Sequence, residues 1–151
     1  MKFDVVTRKG KPDPAPPAAG NAQIVFIETA DECGGCSLSP IRFGVDRQWS
    51  GANRGSSYFA ADVAPGIHHL CAAVQGSIGS SKQEPRWVDF AAAAGKVYYF
   101  LATVSIVSRL RGVGIDADLE LNGTYDFVQV SEEEGTRRMK ASPRSVWRLR
   151  K

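Results

Sequence analysis

The strongest secondary-structure signal in this chain is the stretch Val97-Tyr98-Tyr99-Phe100-Leu101-Ala102-Thr103-Val104. It consists largely of β-branched and aromatic residues, which pack well on a pleated surface and are enriched in strands. The preceding residues Ala94-Gly95-Lys96 have the composition of a turn. The stretch therefore predicts a β-strand that begins just after a turn.

Shorter strand patterns lie on the N-terminal side of this stretch. They occupy residues 24–27, 41–46, 57–63, 67–74 and 87–90. Turn residues such as Ala64-Pro65-Gly66 separate them, and no long helical pattern lies between them, which argues against a parallel α/β sheet. The spacing predicts an all-β fold, an antiparallel β-sandwich of about seven to eight strands of the Ig-like or prealbumin-like kind.

The C-terminal part of the chain carries three local signals. A basic loop is predicted over Ser108–Gly114, and Asn122-Gly123 between two strand patterns predicts a tight hairpin turn. Ser131 followed by Glu134 forms a capping box, which predicts a short C-terminal helix.

The chain length of 151 residues fits one domain with flanking segments. Residues 1–20 are predicted as a Pro/Ala-rich linker, because the prolines between residues 12 and 17 favour extended polyproline II conformation. Residues 21–140 are the predicted β-sandwich domain, and residues 141–151 are a basic C-terminal segment. The chain contains no run of 18 apolar residues, the length that a transmembrane helix requires.

Charge is distributed unevenly along the chain. The net charge is +3, from 19 basic and 16 acidic residues. Seven of the basic residues and none of the acidic ones lie between Gly135 and Lys151. The basic tail could bind an anionic surface, with Trp147 as an interfacial anchor, or form a closing strand or a solvated end. The candidate residues are Arg144, Trp147, Arg148, Arg150 and Lys151.

Three cysteines offer a second kind of candidate chemistry. Cys33 and Cys36 are predicted to form a local disulfide or to be idle loop thiols, because no long helix pattern follows them to lower a thiol pKa. The alternatives are thiol-redox chemistry and a zinc site built from Cys33, Cys36, Cys71 and His69. His68 and His69 are expected on opposite faces of one strand, so only one of them could join a given site.

Five short motifs, in order along the chain, resemble a known family. They are residues 22–27 after the Pro-rich segment, Gly44-Val45-Asp46, the stretch 55–70 with Val63-Ala64-Pro65-Gly66 and His68, Gly95–Phe100, and Val128–Gly135. This order is similar to that of the bacterial family catalogued as domain of unknown function 2846, whose members look like envelope β-sandwich modules. Arg47 stands where that family usually has Gly, and the Cys33/Cys36 segment is an insertion.

The resemblance implies a fold and a compartment but no catalytic residues. We expect a non-enzymatic module of the bacterial envelope, periplasmic, secreted or anchored as a lipoprotein, which acts by binding or scaffolding. No cofactor and no nucleic-acid partner are expected. The expected partner is an unidentified envelope protein or polymer, with peripheral membrane association as an alternative. An export signal is absent from this chain, and a cytoplasmic location stays open.

Overall fold

The computed structural model describes residues 1–10, 13–30, 39–78 and 81–151. Within them the chain forms twelve strands, one α-helix and one 3₁₀ turn. The strands are β1 (Phe3–Arg8), β2 (Ala22–Ala30), β3 (Ile41–Val45), β4 (Gln48–Asn53), β5 (Ser57–Val63), β6 (Gly66–Val74), β7 (Ser77–Ile78), β8 (Ser81–Lys82), β9 (Arg86–Ala92), β10 (Val97–Arg111), β11 (Asp118–Val130) and β12 (Arg144–Leu149). The 3₁₀ turn is Gly114–Asp116, and helix α1 is Glu132–Lys140.

The strands form two main sheets and confirm the predicted all-β, sandwich-like class. The larger sheet has the order β1-β12-β5-β2-β10-β11, and the smaller has the order β4-β3-β6-β9. Strands β7 and β8 pair with each other as a small hairpin. Most neighbours are antiparallel, but β2 runs parallel to β10 and β5 runs parallel to β12. The described residues contain more strands than the seven or eight predicted, because β1 and β4 carried no clear alternating pattern.

The core lies between the two main sheets and is rich in aromatic side chains. Phe26 of β2 stacks on Phe43 of β3, with 5.0 Å between the ring centroids. Phe100 of β10 meets Phe90 of β9 edge to face, also at 5.0 Å. Since these pairs join opposite sheets, they fix the sheets face to face. The predicted strand at residues 97–104 is thus confirmed as the start of β10.

The two ends of the chain meet as neighbouring strands. Strand β1 pairs antiparallel with β12 along its whole length. Its inward-facing Phe3 and Val5 are buried, and Phe3 packs edge to face on Trp147 at 5.3 Å. The linker prediction is therefore wrong for residues 3–8, where two alternating apolar residues were too short a pattern to indicate a strand. The alternative of a closing strand within the basic segment is confirmed by β12.

The hairpin prediction at Asn122-Gly123 is wrong, as is the loop prediction for residues 108–111. Strand β11 runs straight through both residues, and the chain reverses near Gly112 and Gly114 instead. The side chain of Ile78 occupies the space where a Cβ of Gly123 would lie. Gln83 Nε2 also donates to the Gly123 carbonyl, at 2.8 Å. The glycine is therefore needed for a close tertiary approach, which overrides its turn preference.

Candidate functional site

Helix α1 covers the outer face of the six-stranded sheet and positions the candidate site. Its N-terminus is confirmed where the capping box predicts it, since the Glu134 amide donates to Ser131 Oγ at 3.2 Å. Gly135 lies so close to the sheet that an added Cβ would overlap the Tyr99 ring. At the other end Met139 is buried in a cluster with Tyr58. The helix end is thereby held against strand β5.

A cavity of about 300 Å³ opens where the C-terminal end of α1, the end of β1 and the start of β12 meet. We call it the basic pocket. Four cationic side chains line it, together with one acidic side chain, Asp13, and the side chains of Tyr58 and Met139. The cationic residues are Arg8, Lys9, Lys140 and Arg144.

The strand register brings two of these cations together. Arg8 of β1 lies directly opposite Arg144 of β12. Like charges at directly opposite positions of an antiparallel ladder are destabilising. Within the described residues, none of the four cations has a carboxylate within salt-bridge distance. The basic pocket thus concentrates four positive charges, against which the described part of the chain places one acidic lining residue, Asp13.

Tyr58 adds a neutral donor to this charged environment. Its side chain is buried, and desolvation by burial raises the pKa of its phenol, with a smaller opposing effect from Arg144. The phenol therefore keeps its proton at neutral pH. An anion in the pocket would meet guanidinium and ammonium groups as charged donors and a protonated hydroxyl beside them.

The other predicted tail residues lie outside the basic pocket. Arg148 Nε is 3.6 Å from Asp4 Oδ2, and Arg150 Nη2 is 2.7 Å from Asp4 Oδ1. The hydrogen bond from Arg150 is the main cause that lowers the pKa of Asp4. Trp147 packs edge to face against the buried Phe3, and Lys151 is exposed.

Of the five predicted tail residues, only Arg144 lines the pocket. Its companions Arg8, Lys9 and Lys140 were missed, because nothing local in the sequence shows that β1 pairs with β12. The signal that could have found two of them is the basic pair Arg8-Lys9, which directly precedes the Pro-rich segment.

Cys33 and Cys36 lie outside the described residues, so the disulfide, redox and zinc hypotheses stay predictions. Cys71 and His69 share the outward face of β6, where Cys71 is buried and forms no disulfide with a described residue, and His69 is exposed. Desolvation by burial raises the pKa of the Cys71 thiol, which disfavours the thiolate that redox chemistry needs. Among the described residues, no group of three or more His, Cys, Asp or Glu side chains is arranged to hold a metal ion.

The two adjacent histidines face opposite ways, as their strand position predicts. His69 Nδ1 is 2.6 Å from Asp89 Oδ1 on the outer face. The inward-facing His68 has Asp46 Oδ2 2.6 Å from Nδ1 and the Ala64 carbonyl 2.5 Å from Nε2. Burial acts to lower the pKa of His68, but these two acceptors prevail and raise it. Because both ring nitrogens are engaged, His68 holds two turns together and has no free nitrogen for base catalysis.

One carboxyl group, that of Glu28, is buried without a hydrogen-bond partner among the described residues. Glu28 of β2 is 1% exposed on the core-facing side of the strand. Neither of its carboxyl oxygens has a hydrogen-bond partner among the described residues. Desolvation raises its pKa well above the ordinary value, despite an opposing effect from Arg54. The protonated form of the Glu28 carboxyl is therefore favoured more strongly than in an exposed glutamate.

No protein-family model matches this chain, and searches of curated proteins and of solved structures found no match either. In the described part of the chain, none of the helical structure has the length and apolar character needed to cross a membrane. The structure by itself defines a sandwich-like all-β protein with a cationic pocket at the C-terminal end of helix α1.

Proposed function

We propose that this protein is a non-enzymatic binding module whose basic pocket holds an anionic group of its partner. The observation that carries the proposal is the Arg8–Arg144 pair, two like charges at directly opposite strand positions that both line a cavity. Lys9 and Lys140 add to that charge, and the described residues supply only Asp13 against it. A bound anion would offset the repulsion that the fold imposes, because guanidinium groups bind oxyanions with charge-assisted hydrogen bonds.

The resemblance to the envelope family supports a location of this module outside the cytoplasm. We therefore propose an extracytoplasmic location and a partner that is an anionic polymer or protein of the envelope. The thiol-redox and zinc alternatives depend on Cys33 and Cys36, and the raised pKa of Cys71 favours neither of them.

The test is calorimetric titration of the folded protein with tripolyphosphate, a simple polyanion. The variant Arg8→Gln/Arg144→Gln should lose at least about tenfold in affinity, since each removes a charged hydrogen bond of roughly 1.5–3 kcal/mol. The matched control is Arg148→Gln/Arg150→Gln. These two arginines, one in β12 and one just after it, form ion pairs with Asp4 and lie outside the pocket.

The control distinguishes anion binding in the basic pocket from anion binding by the cations of the C-terminal tail. An equal loss of affinity in both variants would show general charge attraction and contradict the pocket. Deleting residues 143–151 is a poor substitute for these substitutions, because it removes β12 from between β1 and β5.

A further inference from the structure

A second cavity lies on the other side of the turn that follows α1. It has a volume of about 470 Å³, and we call it the hydroxyl cavity. Its polar lining consists of four hydroxyl side chains and one guanidinium group, namely Thr29, Ser56, Thr103, Ser142 and Arg138. Ala141 and Ser142 line both this cavity and the basic pocket. The two cavities are therefore neighbours that share one wall.

Strand register explains why hydroxyl groups collect at this place. Thr29 of β2 is the direct neighbour of Thr103 of β10. Two residues earlier on each strand, Ile27 and Leu101 are buried in the cluster that packs against α1. Because strand side chains alternate between faces, the two threonines point to the same side as these apolar residues, just beyond the end of the helix. The outer face thus changes from apolar to hydroxyl-bearing where the helix stops covering it.

Arg138 lines this cavity, and its guanidinium group is not fully hydrogen-bonded by the described residues. Its Nε is buried and has no hydrogen-bond partner among the described residues. Its Nη2 is 3.8 Å from Glu134 Oε1, which is too long for a hydrogen bond. The Arg138 side chain as a whole is 40% exposed, so its terminal nitrogens can still donate hydrogen bonds to a ligand in the cavity.

The two cavities differ in net charge. In the hydroxyl cavity, Glu134 lies near Arg138, and Asp126 Oδ1 accepts a hydrogen bond from the Thr103 amide at 3.3 Å. Local charge is therefore close to balanced, whereas the basic pocket has four cations against one acid. A ligand that fills both cavities would place its anionic group in the basic pocket and a neutral, hydroxyl-rich part in the hydroxyl cavity.

We propose that the two cavities are adjoining subsites for one acidic carbohydrate, a sugar chain that carries phosphate, sulfate or carboxylate groups. The proposal rests on the proposed function for the anionic subsite and adds the sugar subsite. Serine and threonine hydroxyls both donate and accept hydrogen bonds, as sugar hydroxyls require. A lipid surface fits less well, because none of the large exposed apolar side chains of the described residues lines either cavity, and membrane binding needs such anchors.

The experiment compares four probes on the full chain by calorimetric titration. They are tripolyphosphate, neutral maltotriose, a sulfated heparin tetrasaccharide and phosphatidylglycerol vesicles. The test variant is Thr29→Val/Thr103→Val, which removes two hydroxyl groups with little change of shape and suits strand positions. The matched control is Thr124→Val, which lies exposed on β11 outside both cavities. Arg138→Gln is a second, independent variant of the same subsite.

We expect the double valine variant to bind the tetrasaccharide about three- to tenfold more weakly and tripolyphosphate within twofold of the unmodified protein. Arg138→Gln should weaken tetrasaccharide binding, and Thr124→Val should bind it as the unmodified protein does. Equal effects of the valine substitutions on both anions, or no effect on either, would overturn the sugar subsite alone. Vesicle binding without tetrasaccharide binding would also overturn it. Failure of tripolyphosphate and tetrasaccharide to bind at all would overturn the proposed function as well.

Discussion

The two ends of the β1–β12 ladder use arginine in opposite ways. At one end Asp4 lies opposite Arg148 and also binds Arg150, so the charges are compensated. At the other end Arg8 lies opposite Arg144, and among the described residues neither has an ion-pair partner. One ladder thus contains an opposite-charge pair and a like-charge pair. The density of basic residues along a sequence does not reveal which charges are free, whereas strand register does.

The basic pocket depends on α1 in a way that the Asp4 end does not. Gly135→Ala should therefore have the largest effect, because the new methyl group collides with the Tyr99 ring and lifts the helix from the sheet. We expect a loss of about 1–3 kcal/mol in the free energy of unfolding and weaker binding of tripolyphosphate. Urea denaturation and titration measure these two effects. Glu133→Ala, an exposed change on the same helix, should alter neither, and a stable, fully binding Gly135→Ala protein would contradict the packing described.

A buried acidic side chain, Glu28, lies under the same region of the sheet, and its ionisation is expected to cost stability. Its raised pKa means that stability is fully present below its ordinary pKa of 4.5 and is lost as pH rises toward the folded-state pKa. Glu28→Gln removes this loss. Relative to the unmodified protein, its free energy of unfolding should therefore rise between pH 4 and pH 8.

Urea denaturation at the two pH values measures the effect of Glu28→Gln. The matched control is Glu133→Gln, an exposed carboxyl on α1 for which we expect a pH dependence close to that of the unmodified protein. Parallel stability curves for Glu28→Gln and the unmodified protein would show that Glu28 is ionised in the folded state, and that its burial is compensated.

Charge reversal at either end of the ladder should change stability in opposite directions. Arg8→Glu turns a like-charge pair into an opposite-charge pair with Arg144, so we expect a gain of about 0.2–1 kcal/mol at low salt together with loss of tripolyphosphate binding. Arg148→Glu places a second acid opposite Asp4 and should lower stability while binding persists. Urea denaturation without ligand checks both signs. A loss of stability in Arg8→Glu would indicate that Arg8 already has a partner.

The smallest effect is expected from Asp4→Asn, which releases Arg148 and Arg150 from their common acid. The lowered pKa of Asp4 means that its contribution is present above its ordinary value of 3.8 and is lost on acidification. We therefore expect a slightly lower melting temperature at pH 7, converging with the unmodified protein near pH 2. Tripolyphosphate affinity should stay within twofold, and a larger change would place the anion site at the tail.

Local signals predicted local structure well and tertiary contacts poorly. The strand pattern at residues 97–104 and the Ser131 cap describe neighbours in sequence, and both are confirmed. The Asn122-Gly123 pair is an equally strong local signal, but the packing of Ile78 decides its conformation. The basic pocket joins residues more than 130 positions apart, as Arg8 and Arg144 show, and no local pattern encodes that pairing.

The central claim is that one anion binds between Arg8 and Arg144, and two-dimensional amide NMR tests it most directly. Titration of the labelled protein with tripolyphosphate should shift the backbone amide signals of Arg8, Tyr58, Ser142 and Arg144 in a saturable way. The signals of residues 148–151 should move little. Shifts centred on residues 148–151, or no saturable shifts at all, would contradict the account.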